Sequence, residues 1–175
     1  MGSGFGICIH TIFYLGATAI IQPTFKATEF GNLLKKYEPN IIAGVPTLYE
    51  ALLNSKQKKL DLSFVTCCVS GGDKLSIDLK HRVDKFLKEH NSKTEIREGY
   101  GLTECVTASC LTPIGDYREG SIGIPYPDIY YKIVKIGTCD EVPLHEDGEI
   151  VLTGTTVMKR IFKKWRRNKR NIKIA

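Results

Sequence analysis

A chain of 175 residues that is 42% hydrophobic and 25% charged has room for one well-cored domain, and two would be cramped. The formal charge of +6 invites a nucleic-acid reading, but nine of the 25 Lys and Arg lie from Lys159 to Ala175 with no acid among them, which leaves 16 basic against 19 acidic side chains, a net −3, in residues 1–158. A basic body is therefore excluded, and the six cysteines, with no C-x-x-C pair and no histidine at zinc spacing, exclude a zinc module and point to a reduced, cytoplasmic protein.

In chain order, Phe5 to Ile21 is apolar but broken by His10, Thr11, Gly16 and Thr18. It is too short for a membrane span, lacks the basic start of a secretory leader, and predicts a buried helix followed by a strand over Ala17 to Gln22. Phe30, Leu33, Leu34 and Tyr37 recur at helical spacing, and Pro39 stops that helix. Ile41 to Val45 predicts a second buried strand, Pro46 suits a first helical position, and Leu48, Ala51 and Leu52 continue the stripe. Phe64 to Val69 predicts a third strand, Ser70-Gly71-Gly72 the turn after it, and Ser76 the N-cap of a helix whose apolar face is Leu79, Val83, Phe86, Leu87 and His90. A fourth strand near Glu95 to Arg97 runs into Gly99-Tyr100-Gly101.

Strands alternating with helices imply a mostly parallel sheet with flanking helices, an α/β class, because each right-handed crossover returns the chain to the same end of the sheet. After Pro113 the pattern changes to Gly and Pro punctuation with short alternating runs, Ile129 to Ile136 and Glu149 to Thr153. These predict the start of an antiparallel, barrel-like subdomain. The expected divisions are an α/β subdomain over 1–112, a β-rich subdomain over 113–158, and a basic tail over 159–175.

Ligands of an open parallel sheet bind beyond the carboxyl ends of its strands. Three segments of unusual composition share that rim: Gly44-Val45-Pro46-Thr47, Ser70-Gly71-Gly72-Asp73 and Gly99-Tyr100-Gly101-Leu102-Thr103-Glu104. Glycines allow close backbone approach, Tyr100 offers a flat face for a base, Thr103 a hydroxyl, and Glu104 a carboxylate for a hard cation. Taken alone, the third segment is more simply a strand-to-helix turn in which Thr103 caps, Glu104 favours the dipole and Tyr100 packs. Gly2, Gly4 and Gly6 do not make a dinucleotide loop, since no strand precedes them.

The order of the segments is more specific than any one of them. Gly99 to Glu104 resembles the G-Y-G-x-T-E signature of the adenylate-forming (AMP-binding) superfamily, which contains acyl-CoA synthetases, luciferases and peptide-synthetase adenylation domains. Gly44 to Tyr49 resembles its V-P-T segment, and Ser70-Gly71-Gly72 its S-G-G turn. Gly120 to Pro125, and Gly148-Glu149-Ile150 followed by Val157-Met158-Lys159, resemble the next two blocks, so the likeness covers roughly residues 5–159. It implies a fragment of the large N-terminal domain of an ATP-dependent acyl-activating ligase, in which a carboxylate attacks the α-phosphate of ATP and coenzyme A then takes the acyl group. Carried over by position, Gly71, Gly72, Asp73, Tyr100 and Gly101 would bind the nucleotide. Thr103 would contact the α-phosphate, and Glu104 would hold Mg²⁺, these two being the catalytic candidates.

The family's phosphate loop, ribose-binding aspartate block and C-terminal lysine domain are not among these residues, so the 175 residues alone are expected to be inactive. Asp73-Lys74 and Thr155 depart from the family pattern. The expected partners are a small carboxylate such as a fatty acid, ATP and coenzyme A, without nucleic acid or a transmembrane segment. The alternatives are an amino-acid or aryl-acid adenylating enzyme that loads a carrier protein, or a non-catalytic nucleotide- or nucleic-acid-binding module. The tail from Lys159 replaces the family's Gly-Tyr and acidic helix with Lys and Arg. A frameshift accounts for that, and the tail is expected to be poorly ordered.

Overall fold

The structure, a computed structural model, describes residues 4, 6–55 and 60–160. The expectations for the tail beyond Arg160 lie outside the described residues. Three helices carry the layer over the sheet: α1, Phe30–Tyr37; α2, Pro46–Leu53; and α3, Ile77–Glu89. Each begins or ends where local chemistry requires. Glu38 takes a left-handed conformation (φ 44°) and its N–H donates to Leu34 O, closing α1 just before Pro39. Pro46 opens α2 at N1. Ser76 caps α3, its Oγ accepting from Leu79 N–H at 3.2 Å.

Strands β1 (Ile41–Gly44), β2 (Cys67–Ser70) and β3 (Ile96–Tyr100) are parallel, with Ile42 opposite Cys68 and Cys68 opposite Ile96. Two short antiparallel strands extend this sheet, β4 (Cys110–Leu111) on β3 and β5 (Ile124–Pro125) on β4, giving five strands in sequential order. A separate hairpin pairs β6 (Ile129–Val134) antiparallel with β7 (Glu149–Gly154). The chain is thus mixed α/β, a mostly parallel sheet with flanking helices plus a small antiparallel sheet.

The core lies between the helices and one face of the sheet, where Leu34, Ile42, Leu52, Cys68, Val83, Leu87 and Ile96 are buried. Tyr49 fixes α2 to the sheet: fully buried, its hydroxyl sits 2.6 Å from Val69 O and 3.3 Å from Ile42 O, so burial of the ring is combined with a satisfied polar tip. Burial pushes the neighbouring Cys68 thiol up to about 12, which makes it an inert hydrophobe of the core.

Three expectations are corrected. Ala17 to Gln22 forms no strand, because a strand exists only through its ladder and β1, at the sheet edge, has no outer neighbour among the described residues. Gly6–Thr11 and Ile12–Tyr14 are helical as expected but not buried, with Phe13 64% and Tyr14 84% exposed. The strand expected from Phe64 begins only at Cys67: Val65 N–H turns back to Leu62 O, and Asn40 O accepts from both Thr66 and Cys67 N–H. No described helix is long and apolar enough to cross a membrane.

Candidate nucleotide site

The carboxyl ends of β1, β2 and β3 meet along one rim, and they meet through glycines. Gly71 N–H donates to Gly44 O at 3.0 Å. A Cβ on Gly71 would stand 3.2 Å from Gly99 O, and one on Gly72 3.5 Å from Val45 Cγ1. Gly72 also has φ +80°, a conformation that side chains resist. The three segments singled out in the sequence are therefore packed backbone to backbone.

Tyr100 ends β3 rather than lying in a loop, and its carbonyl accepts both the N–H (2.8 Å) and the Oγ (3.1 Å) of Ser109. Burial raises its phenol above the usual tyrosine value. Gly101 follows under the loop that returns to β4, where a Cβ would fall 1.7 Å from Thr107 O. Thr103–Cys105 is one 3₁₀ turn, held by Cys105 N–H to Leu102 O. Val106 then adopts φ 73°, ψ −60°, and Thr107 N–H donates to Cys105 O at 3.0 Å, a γ-turn that is costly for a β-branched residue.

Thr103 and Glu104 are exposed, and neither side chain has a hydrogen bond or ion pair with another described residue. Glu104 O accepts Met158 N–H at 2.7 Å, which brings the segment after β7 alongside this turn. Asp73 differs: it is exposed, but its carboxylate accepts the next N–H, that of Lys74, at 2.8 Å, within its own turn.

Two supporting features went unread in the sequence. Glu98 on β3 is buried, and its carboxylate accepts Leu75 N–H at 3.0 Å, across 23 residues of chain. Lys80 of α3 is 4% exposed, paired with Asp84 and lying 4.1 Å from the centre of the Tyr117 ring. Asp84 in turn accepts Ile96 N–H at 2.7 Å, tying α3 to the start of β3. The i, i+4 spacing of Lys80 and Asp84 was legible, whereas the ring that lies against the Lys80 ammonium comes from Tyr117, 37 residues later.

The hairpin is joined to the site through Tyr131, whose hydroxyl is hydrogen-bonded to Ser109. Desolvation, the largest cause, pushes Tyr131 from the ordinary 10.0 up to about 12. Because the folded-state value is the higher one, its contribution to stability is complete below the unfolded value and is lost as pH rises through the folded one. Stability is expected to decline between pH 10 and 12, less steeply in Tyr131→Phe, as read by denaturant midpoints across that range.

No group of three or more His, Cys, Asp or Glu that could hold a metal is found among the described residues. Glu104 is an exposed carboxylate without an ion pair among the described residues, and single carboxylates of this kind are ligands a hard cation takes when phosphates and water complete its shell.

Comparisons with known proteins identify the relatives of this chain. The chain is 32% identical over 152 residues to a long-chain-fatty-acid–CoA ligase of Bacillus subtilis, covering 86% of this chain and 26% of the relative. It is 30% identical over 165 residues to a 4-coumarate–CoA ligase-like protein of Arabidopsis thaliana, covering 91% and 28%. The chain thus spans about a quarter of the length of these curated relatives. A solved anthranilate CoA ligase in complex with anthranoyl-AMP superposes with TM-score 0.83 at 27% identity, over 95% of this chain and 32% of that one. The pattern of the AMP-binding enzyme family extends over residues 2–162, nearly the whole chain, and the chain belongs to that family.

Proposed function

We propose that this chain supplies the adenine and α-phosphate side of an ATP-dependent acyl-activating ligase. The observation that carries this reading is the rim itself: glycine-lined ends of three parallel strands in backbone contact, next to an exposed Thr103 and Glu104 with no partner of their own among the described residues. Gly71, Gly72 and Asp73 would flank the base, and Tyr100 would lie against it. Gly101 keeps the backbone close, and Thr103 would donate to an α-phosphate oxygen. Glu104 would hold Mg²⁺, which when bound neutralises phosphate charge. The chain's own contribution is to position and to neutralise, which suits phosphoryl and acyl-phosphate chemistry. The exposed Asp73 turn is the loosest member of this set.

Fatty-acid activation with transfer to coenzyme A is the favoured specificity, because the relatives at 32–37% identity from three bacteria are named long-chain-fatty-acid–CoA ligases. In this reading residues 1–112 form the nucleotide-binding part and 113–158 the β-rich part, with β5 reaching back across that division to pair with β4. The setting is cytoplasmic, and the basic tail over 159–175 has no role in catalysis.

Calorimetry with Mg·ATP tests the site: saturable binding is expected, and none would sink the reading. An oligonucleotide that bound instead, more weakly as salt rises, would favour a nucleic-acid module. The 175 residues alone are expected to give no carboxylate-dependent exchange of labelled pyrophosphate into ATP with a panel of fatty and aryl acids. Loss of a single transition-state donor costs about 10²–10³ in rate, and the resemblance assigns several such groups to segments beyond these residues. Exchange above the buffer blank would refute that expectation.

A further inference from the structure

We propose that Glu98 is a positioning residue for nucleotide binding, a single buried carboxylate that sets the 71–75 turn against the Tyr100 strand end through Leu75 N–H. The proposal rests on the nucleotide-site reading above.

Glu98 is 8% exposed, and it forms no ion pair among the described residues. A carboxylate is rarely left in such a place without work to do, because burying it unpaired is costly. Its work is visible in the bonds. Oε1 accepts Leu75 N–H at 3.0 Å, while the backbone carbonyl of Glu98 accepts both Thr112 N–H (2.9 Å) and Thr112 Oγ1 (3.0 Å). The residue is thereby fixed by its main chain to Thr112, just past the end of β4, and by its side chain to the turn.

Apart from the Leu75 side chain, which is buried in the core, the turn it holds has few other ties. Its first residue is anchored by Gly71 N–H to Gly44 O, and its last by Leu75 N–H to Glu98. Between these anchors Gly72, Asp73 and Lys74 are exposed, with one internal bond, Asp73 carboxylate to Lys74 N–H. Gly72 at φ +80° adds no stiffness of its own. Glu98 also immediately precedes Gly99 and Tyr100, so the same residue fixes the position of both segments proposed to face the base. Freeing Leu75 N–H would leave a buried donor unsatisfied and let the turn drift from Gly99, where 3.2 Å of clearance is all that separates a Cβ on Gly71 from the carbonyl.

The full chain is compared with Glu98→Gln, whose amide oxygen still accepts, and Glu98→Met, of similar length but unable to do so. Two quantities are read: hydrogen exchange at the Leu75 amide, and affinity for Mg·ATP. The expected result is a protected Leu75 amide in wild type and Gln. In Met that protection is lost and ATP binding weakens roughly tenfold, the loss of about one hydrogen bond. An unprotected Leu75 amide in wild type overturns the proposal without any variant, which covers the case of a Met variant that does not fold. A Gln variant as weak as Met, or a Met variant that binds ATP like wild type, overturns it too. If wild type binds no Mg·ATP while Leu75 is protected, the nucleotide reading fails and the positioning role with it, leaving a purely structural contact.

Discussion

Gly101→Ala is expected to cost about 3 kcal/mol or more of stability, the upper end of what overpacking a rigid site costs, and to abolish Mg·ATP binding. The new Cβ would stand 1.7 Å from Thr107 O, 2.6 Å from Thr107 C and 2.7 Å from Ala108 Cα. All three are backbone atoms, so no side-chain rotation relieves the clash. Nor is Thr107 free to withdraw. Its N–H closes the γ-turn onto Cys105 O, and two residues on Ser109 is bonded twice to Tyr100 O, by N–H and by Oγ. Moving the loop therefore means breaking the bonds that hold Tyr100 at the strand end.

A control separates close approach from backbone conformation. Gly120 has φ +72° with nothing within 4 Å of a built Cβ. Gly120→Ala should therefore cost only the conformational penalty of a side chain in the left-handed region, roughly 1–2 kcal/mol. Urea denaturation midpoints of the two variants decide the matter. If Gly101→Ala is no more destabilising than Gly120→Ala, the 101–107 contact is not what requires the glycine.

This asymmetry explains which features the sequence disclosed. The helices were legible because their determinants are local: the 3.6-residue recurrence of Phe30 and Leu34, a proline at 46 where a helix has no N–H to lose, a serine at 76 three residues before the N–H it accepts. The glycines at 71, 72 and 101 were legible as glycines, but the reason for Gly101 lies in Thr107 and depends on how the chain doubles back. Glu98 was missed on the same ground. A glutamate in a strand pattern reads as solvent-facing, and only Leu75, from another segment, makes a buried acceptor useful there.

The failures at the margins of the sheet have a related cause. Ala17 to Gln22 has the β-branched, apolar composition of a buried strand, yet composition supplies no partner for a ladder, and Ile21 is 63% exposed. Strands β4 and β5 were invisible for the opposite reason. At two residues each they are too short for any periodicity, and they exist because Tyr100 and Cys110, and then Cys110 and Pro125, are brought opposite one another.

Glu104→Gln is expected to leave the fold intact and to weaken Mg·ATP binding by about 100-fold, since even outer-shell changes around a metal cost 10–100-fold in its affinity. The fold is spared because the contact Glu104 makes with the rest of the chain is through its backbone: its carbonyl, not its carboxylate, accepts Met158 N–H at 2.7 Å. The side chain is exposed and makes no ion pair with a described residue. Glutamine keeps that shape and removes the charge a hard cation requires. The competing role, a favourable charge in the first turn of a short 3₁₀ segment, is worth only about 0.3–1 kcal/mol and concerns stability rather than magnesium. Measuring ATP affinity with Mg²⁺ present and with it chelated distinguishes the two. Wild type should lose most of its affinity on chelation, whereas the glutamine variant should start near that reduced level and lose little more. A variant with the magnesium dependence of wild type and only a slightly lower melting temperature would return Glu104 to the dipole role, and the cation would then need a holder outside residues 99–104.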